Sequence, residues 1–195
     1  MQGKEIYKID RDLAKLVSFV TFDGHLHKDL KGFYIVSKKR KVLKEFEILI
    51  KNKFGVNGVY EEGTGYGESL KYRIFNSKIS RFLYDLGVPK GDKMLVKFDV
   101  PNWIKDDKNL AKEYLKYAFY CEGSKFKKSK NTDTIRINTN KSEDLIENGL
   151  EFMESIKKLL NKFDIDTTNS WIIKGNTRKK DGKTTKVIRF SISVK

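Results

Sequence analysis

The sequence predicts an α+β protein made of two similar halves, read in order as α-β-β-α-β-β-α, a connection, and α-β-β-α-β-β. Two observations carry this. Leu-Val-Ser-Phe-Val-Thr-Phe-Asp-Gly at Leu16 to Gly24 returns as Leu-Lys-Tyr-Ala-Phe-Tyr-Cys-Glu-Gly at Leu115 to Gly123. Each copy ends an apolar-periodic helix on an acid and a glycine, and each is followed by a basic, strand-like stretch and a second amphipathic helix. A duplicated unit with one carboxylate per copy is a natural way to place two carboxylates on a pseudo-two-fold axis.

The elements follow from hydrophobic spacing. Leu13, Leu16, Val17 and Val20 recur at helical intervals, with Asp10 and Asp12 at the positive end of the dipole and Gly24 as the stop. Gly32 to Val36 reads as a strand. Val42, Leu43, Phe46, Ile50 and Phe54 form a second helix closed by Gly55. Val59 to Tyr72 reads as a hairpin, with Gly63-Thr-Gly-Tyr-Gly at its tip; no Gly-Lys-Ser/Thr follows, so a phosphate-cradling loop is the weaker reading. A strand resumes at Tyr72 to Phe75. Ile79, Phe82, Leu83 and Leu86 make a third helix, ended by Gly87 with Pro89 beyond. The stretch 90–107 lacks helical periodicity and reads as the connection. The lobes are placed at residues 1–95 and 109–195, with a linker at 96–108. In the second half, Leu110 to Phe119 is helical and Thr134 to Thr139 alternates, with Ile135 and Ile137 on one face. Ser142 is expected to cap the helix that runs through Phe152 to Leu160. Trp171 to Lys174 and Lys186 to Val194 form strands around an Asp181-Gly182 turn, and no third helix follows.

Composition narrows function. The chain has 195 residues, 41 Lys and Arg against 26 Asp and Glu, and a formal net charge of +15. Such a field favours a polyanion, nucleic acid first, although a lysine-rich chain with no polyanionic partner would read the same by charge alone. The basic residues are dispersed rather than grouped beside an apolar helix, which argues against a membrane surface. One cysteine, Cys121, excludes an intramolecular disulfide and a cysteine zinc site, and His25 and His27 cannot complete a zinc site alone. No apolar run approaches the ~20 residues that span a bilayer, and no signal-peptide core follows Met1, so a cytoplasmic setting is expected.

Taken together, the two helix ends resemble the LAGLIDADG homing endonucleases in their single-chain, two-lobe, archaeal-like form. Asp23-Gly24 and Glu122-Gly123 match the acid and glycine that close that motif. Tyr34-Ile-Val-Ser-Lys-Lys-Arg-Lys-Val-Leu and Ile137-Asn-Thr-Asn-Lys-Ser-Glu-Asp-Leu resemble its strand, polar corner and helix. Tyr72-Arg-Ile-Phe-Asn-Ser-Lys with Ile79 to Gly87 resembles its last strand and helix, and Leu86-Gly-Val-Pro-Lys-Gly with Val100-Pro-Asn-Trp-Ile resembles its lobe closure and linker. The resemblance implies two αββαββ(α) lobes about a pseudo-two-fold axis, each with a curved antiparallel sheet laid on the major groove of DNA, the second lobe lacking its final helix. The small third and seventh motif positions of the family are Ser18 and Phe22 in one copy and Tyr117 and Cys121 in the other, so each helix brings one large and one small residue to the pair.

The resemblance implies a Mg²⁺- or Mn²⁺-dependent endodeoxyribonuclease, a hydrolase of phosphodiester bonds acting on a specific double-stranded site. Asp23 and Glu122, with the backbone at Gly24 and Gly123, are the expected metal ligands. Lys38, Lys125 and Lys141 are the expected basic groups beside the metal. Contacts to DNA are expected from Lys28, Lys31, Tyr34, Ser37, Tyr60, Tyr72 and Arg73 in the first lobe. In the second they are expected from Lys127, Lys130, Arg136, Asn138, Asn140, Lys174, Asn176, Arg178, Lys183 and Arg189, with Arg and Lys suited to guanine and Asn to adenine. His25 and His27 are expected on the DNA side of the first strand. A regulator of the same fold that binds without cutting, and a maturase acting on intron RNA, use the same basic surface. Two lobes in one chain predict a monomer. An ordinary Met at the start and no terminal His-Asn favour an intron-encoded or free-standing enzyme over an intein.

Overall fold

In the computed structural model, which describes residues 7–63, 68–129 and 132–194, the element order follows the predicted one. The first half comprises α1 (Arg11–Phe22), β1 (Gly24–Leu26), β2 (Phe33–Ser37), α2 (Arg40–Phe54), β3 (Val59–Glu62), β4 (Leu70–Ile74) and α3 (Ser77–Asp85). The second comprises α5 (Lys108–Glu122), β5 (Ser124–Ser129), β6 (Thr132–Ser142), α6 (Ile146–Asn161), β7 (Trp171–Thr177) and β8 (Thr184–Val194), with a short α4 (Asn102–Asp106) before it. Each half builds a four-stranded antiparallel sheet, ordered β1-β2-β4-β3 and β5-β6-β8-β7. The tip of the first hairpin, residues 64–67, lies outside the described residues.

Local chemistry sets the boundaries. The Asp10 carboxylate accepts the amide of Leu13 at 3.0 Å and starts α1; Asp107 accepts Asn109 and Leu110 and starts α5. Gly55 and Gly87 take left-handed conformations, φ 67° and 99°, at the ends of α2 and α3. Two boundaries differ from expectation. The connection is not wholly irregular, because Pro101 opens α4 and buries Ile104. Ser142 does not cap a helix with its side chain. Its Oγ donates to Met94 O, and a 3₁₀ turn at Glu143–Leu145 leads into α6.

The helices α1 and α5 pack against each other at the centre, which is why α1 is buried nearly all round instead of along one stripe. Aromatic rings meet across this contact. Phe19 meets Tyr117 at 4.7 Å between ring centroids and Phe22 meets Tyr114 at 5.7 Å, while Ser18, fully buried, donates to Tyr114 O at 2.8 Å. Tyr117 runs past its partner helix to hydrogen-bond Glu45 on α2. The bulky motif residues Phe22 and Tyr117 are thus accommodated by ring-on-ring packing across the helix pair.

The glycines after the acids serve close approach. Both lie outside the positive-φ region, so conformational freedom is not their role. A Cβ on Gly24 would sit 2.6 Å from Val20 Cα and 2.7 Å from Tyr34 O, and one on Gly123 2.2 Å from Phe119 O. Gly24→Ala is expected to cost about 2–4 kcal/mol by forcing the end of α1 off β2, read as a lower midpoint in urea.

Candidate two-carboxylate centre and nucleic-acid interface

Asp23 and Glu122 end the paired helices α1 and α5. Asp23 is held by its own backbone: its N–H donates to Phe19 O at 3.0 Å and its carbonyl accepts Val36 N at 3.1 Å. The two carboxylates share one electrostatic environment. Burial raises the Asp23 carboxyl, against the pull of the Cys121 thiol that donates to it and of Lys93 and Lys39. Burial, then the Asp23 charge, lifts Glu122 to about 7, opposed by Lys93. Two like charges drawn together out of water at matched positions are costly to fold, and such strain concentrates at functional sites.

Lys93 was not anticipated. It lies in the connection, and its ammonium donates to the last carbonyls of α1, Thr21 O at 2.7 Å and Phe22 O at 2.6 Å. Burial depresses its pKa to about 8 despite the nearby Glu122 and Asp23. Glu122 and Lys93 open onto a cavity of ≈ 440 Å³ whose walls come from both halves, including His25 and Tyr34 on one side and Asn138 and Asn140 on the other.

The expected basic partners fare differently. Lys141 is corrected to a structural role. It is fully buried, donates to Lys93 O at 3.1 Å and Val96 O at 2.6 Å, and lies 3.9 Å from the Phe98 ring centroid. Ser142 and Asn148 hold the same segment, through Met94 O and both backbone groups of Phe98. Lys38 is also corrected. It is exposed beside a separate cavity with Arg40 and Glu62, and it is Lys39, 5.7 Å from the Tyr120 ring, whose charge reaches Asp23. Lys125 is exposed on β5, three residues past Glu122.

Strand register sorts the expected DNA contacts. Tyr34 pairs with Arg73, and Val36 with Lys71, on the face away from the α2 core. Lys71 and Arg73 there lie 4.8 and 5.5 Å from the Tyr34 ring and share Glu61, and His25 stacks on Tyr34 at 5.3 Å. In the second sheet, Asn138 opposes Arg189, and Trp171 opposes Arg189 from the other side, with Arg136 5.8 Å from the Trp171 ring. Asn138 Oδ1 and Arg189 Nε are buried without a hydrogen-bond partner, and the Arg189 pKa is lowered by burial and by the like charge of Arg136. Such open buried polar atoms are places where a water or a ligand can bind. Asn140 continues the same face toward the cavity.

Several expectations are corrected. Tyr72 is buried on the helix side, its hydroxyl accepting Gly58 N at 2.7 Å, and Tyr60 lies beside it and donates to Glu47 of α2. Lys174 opposes Lys186, which pairs with Glu143, on the helix side of the second sheet. Arg178 is committed to Asp92 at 2.5 Å and Asp181 at 3.1 Å. The Ser37 hydroxyl accepts Lys39 N within its own corner. Lys28, Lys31, Asn176 and Lys183 are not corrected: they are exposed at loops or strand ends, where a contact is sterically open. Lys130 lies outside the described residues, as does the side chain of Lys127. Lys71, Trp171 and Lys93 complete the site and were missed.

Among the described residues no group of three or more His, Cys, Asp or Glu side chains could hold a metal. Glu122 on the cavity wall with Asp23 at the end of the paired helix still fits Mg²⁺ or Mn²⁺, since Mg²⁺ commonly keeps several waters and takes one or two carboxylates plus substrate phosphate. These two acids do not fit zinc, which wants three or four nitrogen or sulfur donors. No helix in the described chain is long and apolar enough to cross a membrane.

No protein-family profile matches the chain. It is 31% identical over 169 residues to the tRNA-splicing ligase RtcB of Pyrococcus abyssi, covering 80% of this chain and 18% of that protein. It is 27% identical over 168 residues to the Replication factor C small subunit of Methanocaldococcus jannaschii, covering 79% of this chain and 9% of that one. The chain thus spans less than a fifth of the curated relatives it matches. Among solved structures, the homing endonuclease I-DmoI in complex with DNA and Ca superposes with TM-score 0.55 and 14% identity, covering 94% of this chain and 83% of that one. Full-length DUF199/WhiA from Thermatoga maritima superposes with TM-score 0.54 and 14% identity, covering 96% and 53%. The fold is that of the LAGLIDADG homing endonucleases.

Proposed function

We propose that the chain is a double-strand DNA endonuclease that holds Mg²⁺ or Mn²⁺ between Asp23 and Glu122 and lays its two sheets on the duplex. The observation that supports this most is that the two half-buried acids end the paired helices α1 and α5, with Glu122 opening onto a cavity walled by both halves. A metal there would supply an activated water and neutralise phosphate charge. The open faces around Tyr34, Arg73, Arg136 and Arg189 would grip the backbone and reach base edges. The test is incubation of the chain with Mg²⁺ and a plasmid library. Linear product that disappears with Asp23→Asn supports the reading; its absence with both Mg²⁺ and Mn²⁺ overturns it.

An RNA-ligase reading, drawn from the RtcB relatives, is weaker. The shared stretch is a small part of that protein, and an overlapping stretch is shared with a protein of different name, so the common element is this module. A DNA-binding regulator that does not cut is the second reading, favoured by the lysine at the acids. It predicts binding that Asp23→Asn leaves unchanged, with no linear product. In either case Arg136→Ala and Arg189→Ala are each expected to lower the slope of log affinity against log salt by about 1.

A further inference from the structure

We propose that Lys93 is a tethered counter-cation of the two-acid centre, which a divalent ion must displace or override before Asp23 and Glu122 can hold it. This rests on the endonuclease reading and adds to it a built-in control of metal entry.

The position is one a free cation would choose. The C-terminal end of α1 presents unpaired carbonyls and the negative end of its dipole, and the ammonium takes two of those carbonyls, Thr21 O and Phe22 O. An ammonium has three donors, so one remains beyond these two bonds. Glu122 and Asp23 are the acids whose charges act most strongly on Lys93.

The lysine is also locked there. Just before it, Asp92 is gripped by Arg178 at 2.5 Å and Lys180 at 2.7 Å from the β7–β8 turn. Its own carbonyl accepts Lys141, and the carbonyl of Met94 accepts the Ser142 amide at 2.9 Å. The second half of the molecule thus fixes a cation against the helix of the first. Such clamping of one lysine is unneeded for a solvated surface charge, and a helix end can be closed without one, as Gly55 does for α2.

A positive charge fixed beside the acids opposes a second cation arriving there, so removing it should strengthen metal binding. The probe is Mn²⁺ alone, titrated calorimetrically into the full chain without DNA near pH 7, where Lys93 is largely charged. Lys93→Gln keeps a donor for the α1 carbonyls but removes the charge; Lys93→Met removes both, and thermal melting checks that each variant is folded. The expected result is Mn²⁺ affinity several-fold tighter, up to about tenfold, in Lys93→Gln than in the unaltered chain, and at least about tenfold weaker in Glu122→Gln. Equal or weaker binding by folded Lys93→Gln, with Glu122→Gln still impaired, would overturn the competition and leave the metal-binding reading intact. Mn²⁺ binding by none of the variants would overturn both.

Discussion

Glu122→Gln is expected to abolish metal-dependent strand cleavage while making the protein more stable at alkaline pH. The loss follows from removing one of the two carboxylates that end the paired helices. Withdrawing a metal ligand costs several kcal/mol of transition-state stabilisation, at least about 10³-fold in rate. The gain follows from linkage. The Glu122 carboxyl is raised from 4.5 to about 7 by burial and then by the Asp23 charge. Between those values the folded state holds a proton that the unfolded chain has released, so stability falls as pH rises through this window. Below it the carboxyl is neutral in both states and the penalty vanishes. A shift of this size corresponds to roughly 3 kcal/mol. The amide escapes that cost but deprives Lys93 of a partner, which leaves a net gain of about 1–2 kcal/mol at pH 8. Urea unfolding of both proteins at pH 4 and pH 8 reads it: coincident midpoints in acid, and a higher midpoint for the variant in base. A variant less stable at pH 8 would contradict the burial of Glu122 as a charged group.

Much of the architecture was legible because it is repeated. Two acid-glycine helix ends, the Asp10 cap and the Gly55 and Gly87 stops are local signals that tertiary contacts did not overrule. Strand faces were legible too: the error at Tyr72 was one of parity, and that at Lys141 came from the family pattern, which strand parity would have corrected. Tyr72 alternates with Ile74, which is buried, so its neighbours Lys71 and Arg73 turn to the opposite face, where Lys71 is itself covered by Tyr34 and Glu61. Lys141 lies in step with Ile137, on the core side. Lys93 was not legible by any such rule. It occupies a stretch with no period, among 41 basic residues, and its role arises only when the second half closes on the connection. Arg178 is similar: nothing nearby in sequence announces Asp92, which Lys180 and Arg178 hold at a pKa of about 2 against the upward push of burial.

Replacing Lys141 should then damage the fold rather than the chemistry. Its ammonium closes two backbone carbonyls of the connection and its stem fills core space over Phe98. Lys141→Ala leaves both carbonyls unsatisfied and opens a cavity, at a cost of about 2–4 kcal/mol. Lys141→Met keeps most of the volume and loses the bonds, at a cost of about 1–3 kcal/mol. Burial depresses the Lys141 pKa from 10.5 to about 8, so between these values the unfolded chain binds a proton that the folded one has shed. The lysine's contribution therefore grows as pH rises across that window, and the deficit of Lys141→Met relative to the unaltered chain should widen from pH 7 to pH 10. Denaturant midpoints at the two pH values read this directly. Activity separates the structural role from a catalytic one. Under conditions where Lys141→Met is folded, cleavage per folded molecule should stay within about tenfold of the unaltered chain, against the loss of at least about 10³-fold in Glu122→Gln. A collapse of activity in a stable Lys141→Met would return the residue to the reacting centre. Retention of activity with a lowered midpoint would assign it to the clamp that holds Lys93 against α1.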